Sequence, residues 1–341
     1  MTVGIETQPQ LVLTTPGRAE WTEVPVPVLT GPGEALVRPV AVATCDLDTM
    51  INAGSYPLPL PYALGHEFVA EVLTVSEGVT VAAPGDLVVV PFQISCGVCR
   101  SCRRGRTGDC NAVPPLSAYG LGAMGGDWGG AVSDVVRVPF ADAMLVPMPP
   151  GVDPAAAASA DNLTDAWRTV APYLSDTEDD RRVLVFGAWS IGLYAVAIAR
   201  ALGAAVTYVD DDPGRLAVAE QLGATAREVA ENARLELAPL TVHTTGRPGR
   251  LRQAIKATEP GGTLVDTGIF PAEQPMPLMR MYTTGLTFVT GRAQCRRDLP
   301  AVLDLIAAGA LAPSVVTGHT AGWSDAPAAW AGHTHKLVLR R

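Results

Sequence analysis

"RRVLVFGAWSIGLYAVAIARALGAAVTYVDDDPGRLAVAEQLG", residues 181–223, decides the fold. "VLVF" is an unbroken apolar run between Arg182 and Gly187, as expected of a strand buried on both faces. "SIGLYAVAIARALG" is too long for a strand and reads as a helix closed by Gly203. "AVTYVDDD" is a second strand. "DPGRLAVAEQLG" is a second helix, with Asp212 as N-cap, Pro213 in the first turn and Gly223 at the end. "TVHTTG", a helix across "GRLRQAIKAT", and "GGTLVDTGIF" continue the rhythm. Alternation of helices with wholly apolar strands predicts an α/β fold built on a doubly wound parallel sheet.

The first turn of this unit carries a dinucleotide signal. In "VLVFGAWSIG", Gly187 and Gly192 take the first and third glycine places of a G-x-G-x-x-G turn between strand and helix. Trp189 takes the middle place, where a glycine ordinarily lets a pyrophosphate approach the backbone. The helix N-terminus still offers its N–H groups to an anion. Asp210 ends the next strand, 18 residues beyond Gly192, where a carboxylate accepts the ribose hydroxyls of an adenosine and repels a 2′-phosphate. NAD is therefore expected in preference to NADP. The competing reading is a parallel-sheet domain in which Trp189 packs against a neighbouring loop and no cofactor binds.

Outside this unit the texture changes. "EALVRPVAVAT", "EFVAEVLTV" and "DLVVVPF" are short strands between turns such as "TGPGE" and "APGD", which predicts a barrel-like all-β unit over the first 150 residues. Alanine-rich helical sequence begins near "PPGVDPAAAASADNL". The chain ends in a helix at "AVLDLIAAGAL", a loop-rich part and a strand at "HKLVLRR". A length of 341 residues suits two domains. The net charge of -9 disfavours nucleic acid, because phosphate binding needs concentrated Lys and Arg. The start, "MTVGIETQPQ", has neither the basic nor the apolar region of a signal peptide, and no apolar run is long enough to span a bilayer. A cytoplasmic protein without membrane partners is expected.

Four of the six cysteines crowd into "CGVCRSCRRGRTGDC". Cys96, Cys99, Cys102 and Cys110 can close a tetrahedral thiolate shell around Zn²⁺ with no open position, which makes the site structural. Arg100, Arg103, Arg104 and Arg106 add positive charge that favours thiolates. An iron–sulfur cluster uses the same ligands and ranks lower.

With these parts in order, the chain resembles the zinc-containing medium-chain alcohol dehydrogenases over nearly its whole length. The likeness rests on "GHEFVAEV" (65–72), the four-cysteine loop, "GGAVSDVVRVP" (129–139), the glycine turn with its acidic strand end, and "HKLVLRR". It implies a GroES-like β-barrel catalytic domain over 1–161 and 291–341, with a Rossmann domain over 162–290. It also implies a catalytic zinc on Cys45, His66 and Asp161, with Glu67 able to approach the metal and Asp48 orienting His66 or a neighbouring group. Three ligands of S, N and O type leave a fourth place for substrate, and such a zinc polarises a carbonyl or acidifies an alcohol. The bland alternatives are a satisfied barrel histidine at 66 and a helix N-cap at Asp161. The cofactor-binding set is Gly187, Trp189, Ile191, Gly192 and Asp210, with Arg215 near the adenosine ribose and Lys336 on the pyrophosphate; either cation can equally be a solvated charge. A small-molecule substrate is implied, and so is a homodimer or homotetramer through an edge strand near "MYTTGLTFVT" (281–290).

The pattern breaks after Cys45. Where the family often carries a hydroxyl and then a histidine to pass the substrate proton, this chain has Leu47 and Met50, and neither holds a proton. The proton then travels through water or Glu67, or Leu47 simply shapes the pocket. A further reading is that the substrate needs none there, as in reduction of an activated C=C or iminium with a weak or absent catalytic zinc. A third reading is a binding protein that has kept the fold and lost the cofactor. His333 and His335 read as exposed surface residues, His243 and His319 carry no signal, and Cys295 reads as a plain thiol. Tyr56, Trp128 and Phe270 are candidates for lining an apolar pocket.

Overall fold

The computed structural model describes residues 6–174, 180–270 and 272–341, together with the backbone but not the side chain of Trp189. The chain divides into two compact units: residues 1–161, 294–309 and 317–341 form the first, and 162–293 with 310–316 form the second. Among the described residues no helix is long and apolar enough to cross a membrane.

The first unit is the GroES-like barrel. It holds β1 (Thr7–Thr15), β2 (Arg18–Pro25), β3 (Ala35–Ala43), α1 (Asp46–Asn52), β4 (Tyr62–Ala63), β5 (Glu67–Val75), β6 (Leu87–Val90), β7 (Val136–Val138), α2 (Ala141–Met144), β8 (Val146–Pro147) and α3 (Pro154–Ala157). From the second unit's side of the sequence come α4 (Ala160–Leu174), β9 (Arg182–Phe186), α5 (Trp189–Ala201), β10 (Ala205–Asp210), α6 (Pro213–Gln221), β11 (Thr225–Glu228), β12 (Ala238–His243), α7 (Pro248–Ala257), β13 (Thr258–Asp266), α8 (Leu278–Thr284) and β14 (Thr287–Thr290). The barrel unit is completed by α9 (Cys295–Ala307), β15 (His319–Gly322), α10 (Ala326–Gly332) and β16 (Leu337–Arg340).

In the barrel unit, β2-β1-β4 form one sheet and β15-β16-β3-β5-β6-β8 the other, with β7 also on β3. Alternating residues such as Leu11, Leu13, Val37, Phe68, Val88 and Val90 meet in one core. The C-terminal β16 pairs antiparallel with β3, Val338 facing Ala43. This pairing brings the chain's end beside Cys45, and Thr44 and Leu337 exchange hydrogen bonds there at 3.0 Å.

In the second unit, six parallel strands run in the order β11-β10-β9-β12-β13-β14. The sequence signals at its helix ends hold. Asp212 Oδ1 accepts the Arg215 N–H at 2.8 Å and Pro213 follows it. Gly203 and Gly223 end their helices at φ +84° and +85°. The glycine turn is closely packed: a Cβ on Gly187 would lie 2.0 Å from the Tyr208 hydroxyl, and one on Gly192 would lie 3.0 Å from Gly187 Cα.

Two expectations need correction here. The stretch 281–290 is not one edge strand, because α8 covers Leu278–Thr284 and only Thr287–Thr290 is strand. Leu278, Met279, Arg280 and Met281 are good helix formers, and Gly285 closes the helix at φ +65°. His333 is buried rather than exposed, and its Nδ1 contacts the Trp330 carbonyl; His335 is exposed.

The packing of the turn makes a prediction. Gly187→Ala is expected to cost about 1–3 kcal/mol through overpacking against Tyr208. Tyr208→Ala in the same chain should recover part of that loss by removing the clash. Thermal denaturation of the two variants reads this, and a Gly187→Ala protein melting with the wild type would show that Tyr208 does not constrain the turn.

Candidate functional site

Four side chains that are distant in sequence come together in the barrel unit. Cys45 precedes α1, His66 and Glu67 sit where β5 begins, and Asp161 lies in the first turn of α4. One ligand atom from each lies within 4.8 Å of all the others. His66 Nε2 is 3.9 Å from Asp161 Oδ2. A tetrahedral zinc with bonds of about 2.0–2.3 Å places its ligand atoms roughly 3.3–3.8 Å apart, so the group needs little contraction to hold one. Asp161 does not cap its helix, which begins at Ala160; its backbone N–H instead donates to Glu67 Oε2 at 3.1 Å.

The electrostatics of the group favour a cation. Burial, followed by the charges of Asp48, Asp161 and Glu67, pushes the Cys45 thiol well up, and Lys336 opposes this only in part. Glu67 is fully buried and its Oε1 accepts from Lys336 Nζ at 3.0 Å. Lys336 is therefore no solvated charge but a buried partner of the site. In a chain whose cations are nearly all arginine, it is one of two lysines. Its compact ammonium makes a one-point contact and leaves Oε2 to the Asp161 N–H. Both Glu67 oxygens are thus engaged, and Glu67 stands beside the other three as a held acid.

Asp48 holds the neighbouring Cys45 rather than the His66 ring. Its Oδ2 accepts the Cys45 N–H at 2.8 Å and so holds the start of α1. His66 Nδ1 lies 3.9 Å from Oδ2, beyond hydrogen-bonding distance. His66 Nδ1 and Asp48 Oδ1 are buried without a hydrogen-bond partner among the described residues. Leu47 packs against the barrel core. Tyr56 and Trp128 do the same, and Trp128 also lines a cavity of about 440 Å³ with Gln8, Gln10, Pro25 and Pro27.

In the second unit, α5 opens at Trp189 after the N-cap Ala188, whose side chain makes no capping hydrogen bond. Ile191 and Gly192 lie in that first turn. The turn is latched from β12, where Thr244 Oγ1 accepts the Ala188 N–H at 2.9 Å. The side chain of Trp189 lies outside the described residues. Asp210 and Arg215 are brought together: Arg215 grips both carboxylate oxygens at 2.7 Å. Tyr208 donates to Oδ2 at 2.7 Å, and the Asp211 and Asp212 N–H groups donate to Oδ1 at 2.7 and 3.1 Å. A ribose diol must therefore compete with Arg215 for this carboxylate.

The sequence reading missed the surroundings of His243. Its Nδ1 lies 2.7 Å from Asp266 Oδ1 and its Nε2 2.8 Å from Thr245 Oγ1. Phe270, expected to line a pocket, stacks on this ring at 6.0 Å. The signal available was a histidine and an aspartate closing neighbouring strands of a parallel sheet.

The cysteine loop forms a second group of potential ligands. Its four Sγ atoms lie within 4.8 Å of one another, with Cys99 and Cys110 at 4.0 Å. Tetrahedral zinc–thiolate bonds of about 2.3 Å set the sulfurs roughly 3.8 Å apart. Backbone N–H groups of Cys96, Cys99, Cys102, Asn111 and Ala112 point at the sulfurs at 3.4–3.5 Å. Hydrogen bonds from the Cys102 and Asn111 backbone bring the Cys99 thiol down to about 6. Burial pushes Cys102 up to about 12 and raises Cys110 as well. In protein stripped of metal, Cys99 should be alkylated first, with a rate that rises through about pH 6. Acidification that protonates the zinc-bound thiolates should release the metal. Mass spectrometry of iodoacetamide-treated samples checks this, and equal labelling of Cys99 and Cys102 at pH 7 would contradict it.

Comparison with known proteins agrees with this geometry. Residues 31–150 match the alcohol dehydrogenase GroES-like domain, and residues 190–308 match the zinc-binding dehydrogenase family. A probable zinc-binding alcohol dehydrogenase of Mycobacterium tuberculosis is 30% identical over 296 residues, covering 84% of this chain and 75% of that protein. An L-threonine 3-dehydrogenase of Streptomyces avermitilis is 31% identical over 344 residues, 93% of this chain and 94% of that one. The solved structure of an alcohol dehydrogenase from Thermus sp. ATN1 superimposes with a TM-score of 0.88 at 32% identity, over 97% of this chain and 99% of that one. With a GroES-like barrel, a parallel dinucleotide-type sheet and two compact groups of metal-ligand type, the chain belongs to the zinc-type medium-chain dehydrogenase family of oxidoreductases.

Proposed function

We propose that this chain transfers hydride between NAD(H) and an alcohol or carbonyl substrate. The observation that supports it most is the gathering of Cys45, His66, Glu67 and Asp161 within 4.8 Å around a buried excess of negative charge. Cys45, His66 and Asp161 would hold zinc there, and Cys96, Cys99, Cys102 and Cys110 a second, structural zinc. A bound zinc with an open position supplies Lewis-acid polarisation of the substrate oxygen. The chain's own residues do the rest. Asp48 fixes Cys45 through its backbone N–H, and Lys336 and the Asp161 N–H hold Glu67 against the group. The glycine turn ahead of α5 would carry the pyrophosphate, with Thr244 holding the Ala188 N–H. Asp210 disfavours a 2′-phosphate by charge, which makes NAD the expected cofactor.

The second reading is a reductase of an activated C=C or iminium bond, favoured by Leu47 and Met50. The domain boundaries expected from sequence, and a homodimer or homotetramer, belong to the same proposal. For the oligomer, β14 is a sheet edge, and α8 beside it exposes Leu278, Met279 and Tyr282 at 69%, 75% and 84%. A cytoplasmic location suits a loop that needs four reduced cysteines.

A panel of alcohols with NAD⁺, followed as absorbance at 340 nm, tests the proposal. Cys45→Ala is expected to abolish oxidation while leaving NADH affinity within about twofold, because Cys45 belongs to the barrel unit. NADH is expected to bind at least about tenfold more tightly than NADPH. Undiminished alcohol oxidation by Cys45→Ala, or no NADH binding by the wild type, would overturn the reading. Turnover of activated alkenes alone would favour the second.

A further inference from the structure

The carboxyl ends of β12 and β13 carry a buried group with catalytic geometry. Parallel pairing sets His243, the last residue of β12, beside Asp266, the last of β13. His243 is fully buried. Thr245 Oγ1 accepts the Arg247 N–H at 3.0 Å, which leaves the threonine's own hydrogen for His243 Nε2 at 2.8 Å. On this assignment, made from the hydrogen-bond network, Nδ1 carries the ring proton and donates to Asp266 Oδ1 at 2.7 Å. Asp266 Oδ1 also accepts the Gly268 N–H at 3.0 Å, which fixes the carboxylate. Hydroxyl, imidazole and carboxylate thus stand in the order of a proton relay, with the carboxylate placed to stabilise an imidazolium.

The surroundings isolate this relay. β9 presents Phe186 opposite His243, and Phe270 covers the ring. The nearest cation along the chain, Arg247, turns to Asp211 and Glu231. Asp266 is the charged group that meets the imidazole among the described residues. Thr245 is half-buried and forms the open end.

Its place in the sheet points to a role. Strand order reverses between β9 and β12, and a dinucleotide lies across such a reversal with one nucleotide on each half. Asp210, Arg215 and α5 occupy the β9–β10 half. The nicotinamide nucleotide then falls to the β12–β13 half, where Thr245 stands. Alcohol oxidation releases one proton with each hydride, and Leu47 and Met50 offer no group to take it. The ribose hydroxyls are the groups of that nucleotide able to exchange a proton with a threonine.

We propose that Thr245, His243 and Asp266 form the proton-accepting relay of the reaction, reached through the nicotinamide ribose. The proposal rests on the NAD(H) reading above. In oxidation the substrate C–H bond breaks as hydride and a C–H bond forms at nicotinamide C4, so the alcohol is oxidised and NAD⁺ reduced. The hydroxyl proton passes by way of a ribose hydroxyl to Thr245 Oγ1. The threonine's own proton moves to His243 Nε2, giving an imidazolium against Asp266. Reduction runs the same transfers backwards.

Two measurements test this on the full-length wild type and its variants. Histidine-ring NMR of the NAD⁺-saturated protein is tractable with five histidines, and the His243 resonance is the one lost in His243→Asn. That resonance should be displaced in Thr245→Val and kept near its wild-type position in Thr245→Ser. A His243 resonance unmoved by Thr245→Val overturns the proposal. In turnover, Thr245→Val should lower kcat for alcohol oxidation by about 10²-fold and flatten its pH profile, with NADH affinity and Tm at wild-type values, while Thr245→Ser retains activity. A Thr245→Val enzyme with wild-type kcat and pH profile removes the relay but leaves the NAD(H) reading standing. A wild type that binds no NAD(H) removes both.

Discussion

The crowding of acidic groups in the barrel unit is the constraint on which the rest of the site depends. Cys45, Asp48, Glu67 and Asp161 crowd one buried place, and Lys336 supplies one ammonium against them. Burying carboxylates is costly unless each is paired or a cation is held among them. The local backbone is arranged to hold this charge. Asp48 takes the Cys45 N–H, Glu67 takes the Asp161 N–H, and β16 delivers Lys336 beside β3. A divalent cation bound by a thiolate, an imidazole and a carboxylate is the natural completion.

The second unit shows a different economy. Its glycine turn is shaped by side chains from neighbouring strands as much as by its own glycines. Tyr208 fills the space over Gly187 and binds Asp210, while Thr244 latches Ala188. Threonines 244 and 245 are adjacent in sequence and serve two networks, the first on the turn and the second on His243. A change at either position would therefore reach the glycine turn or His243 without disturbing the strand cores.

The sequence carried the features whose signals are local. Asp212, Pro213, Gly203 and Gly223 mark helix ends by their own chemistry, and four cysteines in fifteen residues announce a metal loop whatever the fold. The assembly of Cys45, His66 and Asp161 came through family likeness, since no spacing rule joins positions so far apart. What stayed hidden depends on register and long-range pairing. Lys336 meets Glu67 across 269 residues, His243 meets Asp266 across 23, and Asp48 turns to the backbone of Cys45 instead of His66. His333 looked exposed because its burial comes from the packing of Trp330, a tertiary fact. The edge strand expected near 281–290 is confined to Thr287–Thr290, because Leu278–Thr284 favours helix.

The most direct measurement is anomalous X-ray scattering at the zinc edge, from crystals of protein purified without chelators. The expected result is two peaks per chain: one centred among the four sulfurs of the cysteine loop, the other bounded by Cys45 Sγ, His66 Nε2 and the Asp161 carboxylate. A map with a peak in the cysteine loop and none beside Cys45, from zinc-replete protein, would contradict the account.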